Sequence, residues 1–480
     1  MSKGKSLIKN AVLSSLKTLT AIVFPLITYP YITNVLSVEN IGRIDFGQSI
    51  VSYFSLIAAF GISSYAVRTG SQVLSDKDTF KRFANQIFTI NCLTAIFAFV
   101  SLFLAVLLPT KLLGYRSIIM IFGINILLSP FGIEWLYIIH EDFGYITIRA
   151  FFIHLLSLIL MVLFVKRNED YLLYAGLTTL ATSAGNIFIF LHSSKYTRLK
   201  IVHNCEFKRY FPFLFIFFIN SIATTIYLNS DKTMLGLMCD DYAVGIYAVS
   251  TKIYSIVKQL FNAVIASVIP RLAYYRKQNI DEYKSLINKM VNVCITFVLP
   301  AVVGLIILRK EVVVVISNSK YIEATTSLMI LSFAIIFAVF GNIIANGILI
   351  SLEREKHVLK GTTISAIVNL LLNFLMIPLL AQNGAAITTL LAEIVMVGIS
   401  GYYARDYLKG MIDWINLIKV TVCTILMGAG IIALKQYFTT SSNIINLVVM
   451  LVCGVTVYML LLCLVREKAA TGALKHFLKR

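Results

Sequence analysis

The chain has 480 residues, of which 58% are hydrophobic and only 14% charged. That balance excludes a soluble globular protein of this length and predicts a polytopic membrane protein. A formal net charge of +19 would suggest nucleic acid in a soluble chain, but here the basic residues gather in short loops between apolar runs, so no nucleic-acid partner is expected.

The N-terminal stretch MSKGKSLIKN leads into an apolar run with no small-residue cleavage site after it. That run is read as a retained first helix, not a signal peptide. A crossing needs about 20 apolar residues. Fourteen stretches qualify: 10–35, 44–67, 83–108, 117–139, 147–165, 172–192, 211–237, 244–269, 290–308, 326–350, 361–380, 384–403, 415–435 and 444–465. The fold class is therefore all-α, with about fourteen transmembrane helices. Placing both termini inside puts 28 Lys and Arg residues on the inner side and nine on the outer side. The threefold bias fixes the orientation and an even number of spans.

The chain repeats itself. Gly42 in NIGRIDFGQS matches Gly245 in AVGIYAVSTK, and Arg68 in SSYAVR matches Arg271 in SVIPR, both at an offset of 203. Thr178-Thr179-Leu180 matches Thr388-Thr389-Leu390 at an offset of 210, and Glu141 after span 4 resembles Glu353 after span 10. Six spans separate the matched elements, so both halves share one orientation, a parallel repeat. The expected organisation is an N-terminal lobe (1–205), a C-terminal lobe (206–410) and two further spans with a cytoplasmic tail (411–480).

Spans 7 and 8 carry the unusual chemistry. An ionisable group at bilayer depth costs about 2.5–3.5 kcal/mol, so it normally faces a partner or a wet cavity. With Thr251 set at zero and steps of about 100° per residue, Lys258, Asn262, Ser255, Gln259 and Lys252 fall in one wedge of about 120°. The stripe lines water, or Lys252 snorkels to the surface and the rest is packing. Span 7 places Asn220, Thr224, Tyr227 and Asp231 on one face. At the repeat offset, Gln48, Ser49, Ser52 and Ser55 stand where span 8 has Thr251, Lys252, Ser255 and Lys258, with Asp45 on the same face. A central cavity lined by spans 1, 2, 7 and 8 is expected. Lys17, Lys252 and Lys258 would be its cations. Gln48, Ser52, Asn220, Thr224, Ser255, Gln259 and Asn262 would be its polar lining, and Asp45, Asp231 and Glu393 its ion-coupling or gating carboxylates.

Elsewhere, Glu134 with Trp135 forms an interfacial pair or a gate, Lys232 snorkels, and Glu393 pairs with a basic group or carries a proton. The segment RLAYYRKQNIDEYKSLINK reads as a basic amphipathic helix on the anionic leaflet. The seven cysteines lack metal-ligand spacing, so free thiols and no metal are expected. No phosphate-binding Gly loop or HExxH is present, which argues against a cofactor and against an ATP-driven pump or a cytosolic-site glycosyltransferase.

Four stretches together carry a family resemblance: PYITNVLSVENIGRIDFGQSIVSYFSLIAAFGISSYAVR, FGIEWLYIIHEDFGYITIR, NSDKTMLG with VGIYAVSTKI, and NGAAITTLLAE. With these the chain resembles the Wzx-type O-antigen and polysaccharide flippases of the multidrug/oligosaccharidyl-lipid/polysaccharide exporter superfamily. The resemblance implies a bacterial inner-membrane flippase and not an enzyme. Its substrate would be an undecaprenyl-pyrophosphate-linked oligosaccharide, with membrane lipids and the polymerase and chain-length regulator of the same pathway as partners. Two other readings stay open: a cation-coupled multidrug extrusion antiporter, whose lumen should be acidic, and a non-transporting scaffold or acyltransferase.

Overall fold

The computed structural model describes residues 16, 20 and 23–467, apart from 109, 409, 439 and 441; the side chain at 220 also lies outside the description. Contacts divide the chain into two units, Met1–Gly245 and Ile246–Arg480. The first holds α1 (23–35), α2 (Val38–Ala59), α3 (Ile62–Val73), α4 (Lys77–Leu107), α5 (Arg116–Leu128), α6 (Glu134–Ile139), α7 (Phe143–Phe164), α8 (Tyr171–His192), α9 (Phe207–Met238) and the first turn of α10 (Asp241–Gln278). The second holds the rest of α10, then α11 (Ile280–Ile307), α12 (Arg309–Ile316), α13 (Ala324–Asn342), α14 (Glu355–Leu408), α15 (Trp414–Tyr437) and α16 (Asn443–Leu464).

Among the described residues there is no strand, and twelve helical stretches are long and apolar enough to cross a membrane. One of them, α14, has 54 residues, about 80 Å of helix and too long for one crossing of a core about 30 Å thick. It breaks at Ala381, where φ is 46° and ψ −127°. A Cβ at Gly384 would run into the carbonyl of Met376, so the chain doubles back only because that residue is glycine. Thr388 beyond the break hydrogen-bonds Asn373 before it, and Asn373 donates to Asn369 at 3.3 Å. All three are buried. Expected spans 11 and 12 are thus the two arms of α14. The all-α polytopic fold class holds.

Short polar side chains start the helices. Ser37, Asp76, Asp142, Asn279, Asp413 and Ser442 each accept a hydrogen bond from a first-turn backbone N–H, which satisfies donors that a helix start leaves open. Asp142 does more. It accepts from the Tyr196 hydroxyl at 2.5 Å and from Lys195 at 3.4 Å. Burial pushes this carboxyl up, but the bonds from Tyr196, the Tyr145 N–H and Lys195 outweigh it and hold the group below the usual carboxylate value. A depressed folded value adds stability above the unfolded pKa, and that stability is lost as pH falls through the folded value. The unfolding midpoint in detergent is therefore expected to drop below about pH 4, and Asp142→Asn should flatten that limb. An unchanged acid limb would contradict the assignment.

Repeat-matched positions adopt matching geometry. Glu141 and Glu353 both have left-handed backbone, with φ of 55° and 57°. Each sits at the end of a helix closed the same way. The N–H of Glu141 bonds Ile138 O and that of Asp142 bonds Tyr137 O, while Glu353 bonds Ile350 O and Arg354 bonds Leu349 O. These are two Schellman closures. Upstream of each, the span is irregular: a 3-10 turn at Ser129–Phe131 in span 4 and a π-helix at Ile343–Leu349 in span 10.

Gly42 and Gly245 explain themselves by contact. A Cβ at Gly42 would run into the carbonyl oxygen of Asp241, and one at Gly245 into that of Val38. All four residues lie in the first unit, and each glycine meets the residue four before the other. The starts of α2 and α10 can approach this closely only with small residues. Gly42→Val is expected to cost about 1–3 kcal/mol through overpacking, read as a lower unfolding midpoint of the detergent-purified protein. Wild-type stability would contradict the contact.

The segment expected to lie on the leaflet is the end of α10 and the start of α11. Helix α10 has 38 residues, about 57 Å, so it outruns the hydrocarbon core. Arg276 bonds the Ser351 carbonyl and lies 3.6 Å from Glu353, while the Tyr283 hydroxyl meets Ser351 Oγ at 2.7 Å. The turn is anchored to the end of span 10.

Helices α15 and α16 dock on α11 and α12. The Tyr458 hydroxyl donates to Thr296 O at 2.6 Å, and Lys435 pairs with Glu311 at 2.6 Å.

Candidate functional site

In the second unit, α10 carries Tyr254 and Lys258 one turn apart, so both face the same neighbour. That neighbour is the second arm of α14. Lys258 Nζ lies 2.6 Å from Glu393 Oε1, and the Tyr254 hydroxyl donates to the same oxygen at 2.8 Å. Lys258 also donates to the Tyr254 hydroxyl at 3.2 Å. The side chain of Glu393 is 5% exposed and that of Lys258 is 23% exposed. The ammonium is thus the accessible member of a closed triad, and the carboxylate stands behind it. Lys258 was expected as a cation of the cavity; the structure pairs it with Glu393. Of the two expectations for Glu393, the structure has the pairing with a basic group.

Further along the same helix, Asn262 hydrogen-bonds Asn342, and Asn346 donates to Asn342 Oδ1 at 2.6 Å. The ladder crosses the start of the π-helix, where regular backbone pairing shifts by one residue. Lys252 and Ser255 are half-buried, and Gln259 is exposed.

In the first unit, Asp45 on α2 accepts from Lys232 on α9 at 2.7 Å. Lys232 does not snorkel, as its sequence position near a span end had suggested; it is the counter-ion of Asp45. One turn away, Thr233 bridges Ser49 at 2.9 Å and the Tyr53 hydroxyl at 3.1 Å. Ser52 bonds the Ser49 carbonyl at 2.6 Å, so its hydroxyl serves its own helix. Asp231 is buried, whereas Gln48 and Thr224 are exposed. Lys17 and the side chain of Asn220 lie outside the described residues.

Glu134 pairs with Arg149 at 2.8 Å, and Arg149 also bonds the Gly185 carbonyl. Trp135 is 3% exposed, so it packs in the core and does not anchor an interface.

Sequence reasoning passed over Tyr254, Thr233, Asn342, Asn346, Asn369 and Asn373. A signal was available for the last two: asparagines four apart in an otherwise apolar span share a face and need partners.

The Lys258–Glu393 and Lys232–Asp45 pairs, each between different helices of one unit, fit a chain that handles a polar or charged cargo. Residues 7–276 match the family described as polysaccharide biosynthesis protein. The chain belongs to that family. The resemblance to Wzx-type polysaccharide flippases is thereby borne out. Among curated relatives, the chain is 25% identical over 376 residues to the capsular polysaccharide biosynthesis protein CapF of Staphylococcus aureus, covering 76% of this chain and 90% of CapF. Among solved structures, it is similar to the lipid II flippase MurJ in an inward closed conformation, with TM-score 0.77, 14% identity and coverage of 95% of this chain and 99% of MurJ. A multidrug resistance MATE family transporter of the MOP superfamily, in an inward-facing conformation, gives TM-score 0.58 at 11% identity, covering 81% and 98%. At such identities these structures report the fold alone, and that fold is a MurJ- and MATE-like polytopic one.

Proposed function

We propose that the protein is a flippase for lipid-linked glycans. Its substrate is an undecaprenyl-pyrophosphate-linked oligosaccharide repeat unit, of O-antigen or a similar surface polysaccharide. The unit moves from the cytoplasmic to the periplasmic leaflet of the bacterial inner membrane by alternating access between the repeat-related lobes, 1–205 and 206–410. Both termini are cytoplasmic, and the polymerase and chain-length regulator of the pathway act next.

One observation carries the reading: the Tyr254–Lys258–Glu393 triad within two membrane helices of a polysaccharide-family chain. A pyrophosphate cannot cross hydrocarbon as a bare anion, and a partly exposed lysine at depth supplies a charge-assisted donor. Lys252, half-buried on the same helix, is the second cation, and Lys17 the third. Hydroxyls and amides on the same helices, among them Ser255, Gln259 and Asn262, bond sugar hydroxyls. Asp231 and Asp45 serve coupling or gating. The cation-antiporter reading fits less well, because Glu393 is already neutralised by Lys258.

The test is complementation of a bacterium deleted for its own O-unit flippase, read as lipopolysaccharide ladders. A restored ladder is the expected result. Drug resistance conferred without any glycan export, in that strain or in the native one, would overturn the reading.

A further inference from the structure

We propose that Glu393 is a selectivity residue: it is a resident anion that Lys258 surrenders to a pyrophosphate but not to a singly charged phosphate. The inference rests on the flippase reading above and names how its site tells substrate from bulk lipid.

The fold does not demand this ion pair. At the repeat offsets, Lys258, Tyr254 and Glu393 correspond to Ser55, Val51 and Ser183 in the first unit. There Ser183 simply bonds Asn125 at 2.9 Å, and Val51 is buried. The same helix positions therefore pack without any charge. Buried ion pairs generally add little stability over apolar replacements, so the pair calls for another explanation.

The geometry supplies one. An ammonium has three donors, and Lys258 gives two of them to Glu393 and the Tyr254 hydroxyl. Its side chain is the exposed member and Glu393 the enclosed one. An incoming anion meets Lys258 first and competes with a carboxylate already seated at 2.6 Å. A singly charged phosphate offers no more charge than that carboxylate and gains little by displacing it. A pyrophosphate carries more negative charge and more acceptor oxygens, so it wins the exchange. When Lys258 turns away, Glu393 keeps the Tyr254 hydroxyl as a donor at 2.8 Å, and the cost of losing its counter-charge is part of the threshold an incoming anion must meet. An uncompensated lysine would be occupied by the anionic phospholipids that surround the protein. Glu393 prevents this, and it also returns to Lys258 when cargo leaves.

The experiment measures binding of farnesyl pyrophosphate and of short-chain phosphatidylglycerol, a singly charged phosphodiester, to the full chain in detergent. Wild type is expected to prefer the pyrophosphate. Glu393→Gln keeps the shape and removes the competing charge. Its affinity for both ligands should rise about tenfold, the effect of roughly 1.4 kcal/mol, so that the phosphodiester occupies the site at concentrations where wild type excludes it. Glu393→Asp keeps the charge on a shorter arm and should fall between, which carries the test if the Gln variant does not fold. A weaker or unchanged affinity for both ligands in Glu393→Gln would make the pair structural and overturn the inference alone. Wild type binding neither ligand would overturn the inference together with the pyrophosphate-lipid reading.

Discussion

Lys258→Met is expected to destabilise the protein by about 3 kcal/mol, the range for stranding one member of a buried pair. The reason is an asymmetry in exposure. Without Lys258, the Glu393 carboxylate is 5% exposed and must either stay charged in a dry site or take up a proton. Without the charge on Glu393, Lys258 remains 23% exposed and keeps the Tyr254 hydroxyl as acceptor. Glu393→Gln should therefore cost much less than Lys258→Met. The double variant Lys258→Met/Glu393→Gln should recover most of the loss, since neither charge remains to be desolvated. Unfolding midpoints of the four detergent-purified proteins form the cycle. Single and double variants of equal stability would show that the pair is not buried as described.

The same double variant separates folding from transport. It removes the cation while sparing the fold, so its export defect cannot be blamed on instability. Polymer export is expected to fall about 100-fold, because losing a buried charge contact typically costs 2–5 kcal/mol of binding. Removing Lys252 as well should abolish export with the protein still in the membrane. The readout is the ladder assay together with membrane abundance. Full export from Lys252→Met/Lys258→Met/Glu393→Gln would remove both lysines from the mechanism.

Much of the architecture could be read from the sequence because the bilayer enforces it. Apolar runs of fixed length gave the spans, and the internal repeat found positions that share geometry. Glu141 and Glu353 close helices in the same way, and Thr178 and Thr388 bond the carbonyls of Ala175 and Ala385 at 2.8 and 2.9 Å. Gly42 and Gly245 were matched as letters, whereas their close approach to Asp241 and Val38 is a packing fact no periodicity contains. The break at Ala381 was visible only as a gap between two apolar runs. Helical angle placed Lys258 on a polar face but could not supply its partner, which lies 135 residues away. Lys232 was misjudged for the same reason. Its position along α9 suggested a lysine reaching for the membrane surface, and only the packing of α9 on α2 brings Asp45 within 2.7 Å. Pairing across helices is set by tertiary contact, and a single sequence records the faces without recording which faces meet.

The central claim is that this chain moves a pyrophosphate-linked glycan across a bilayer. Its most direct test is reconstitution of the purified protein into liposomes carrying such a lipid on one leaflet, followed by an impermeant lectin that reports the glycan on the other. Translocation by wild type, lost in Lys258→Met/Glu393→Gln at equal protein incorporation, is the predicted result. Equal lectin labelling of liposomes with and without the protein would contradict it.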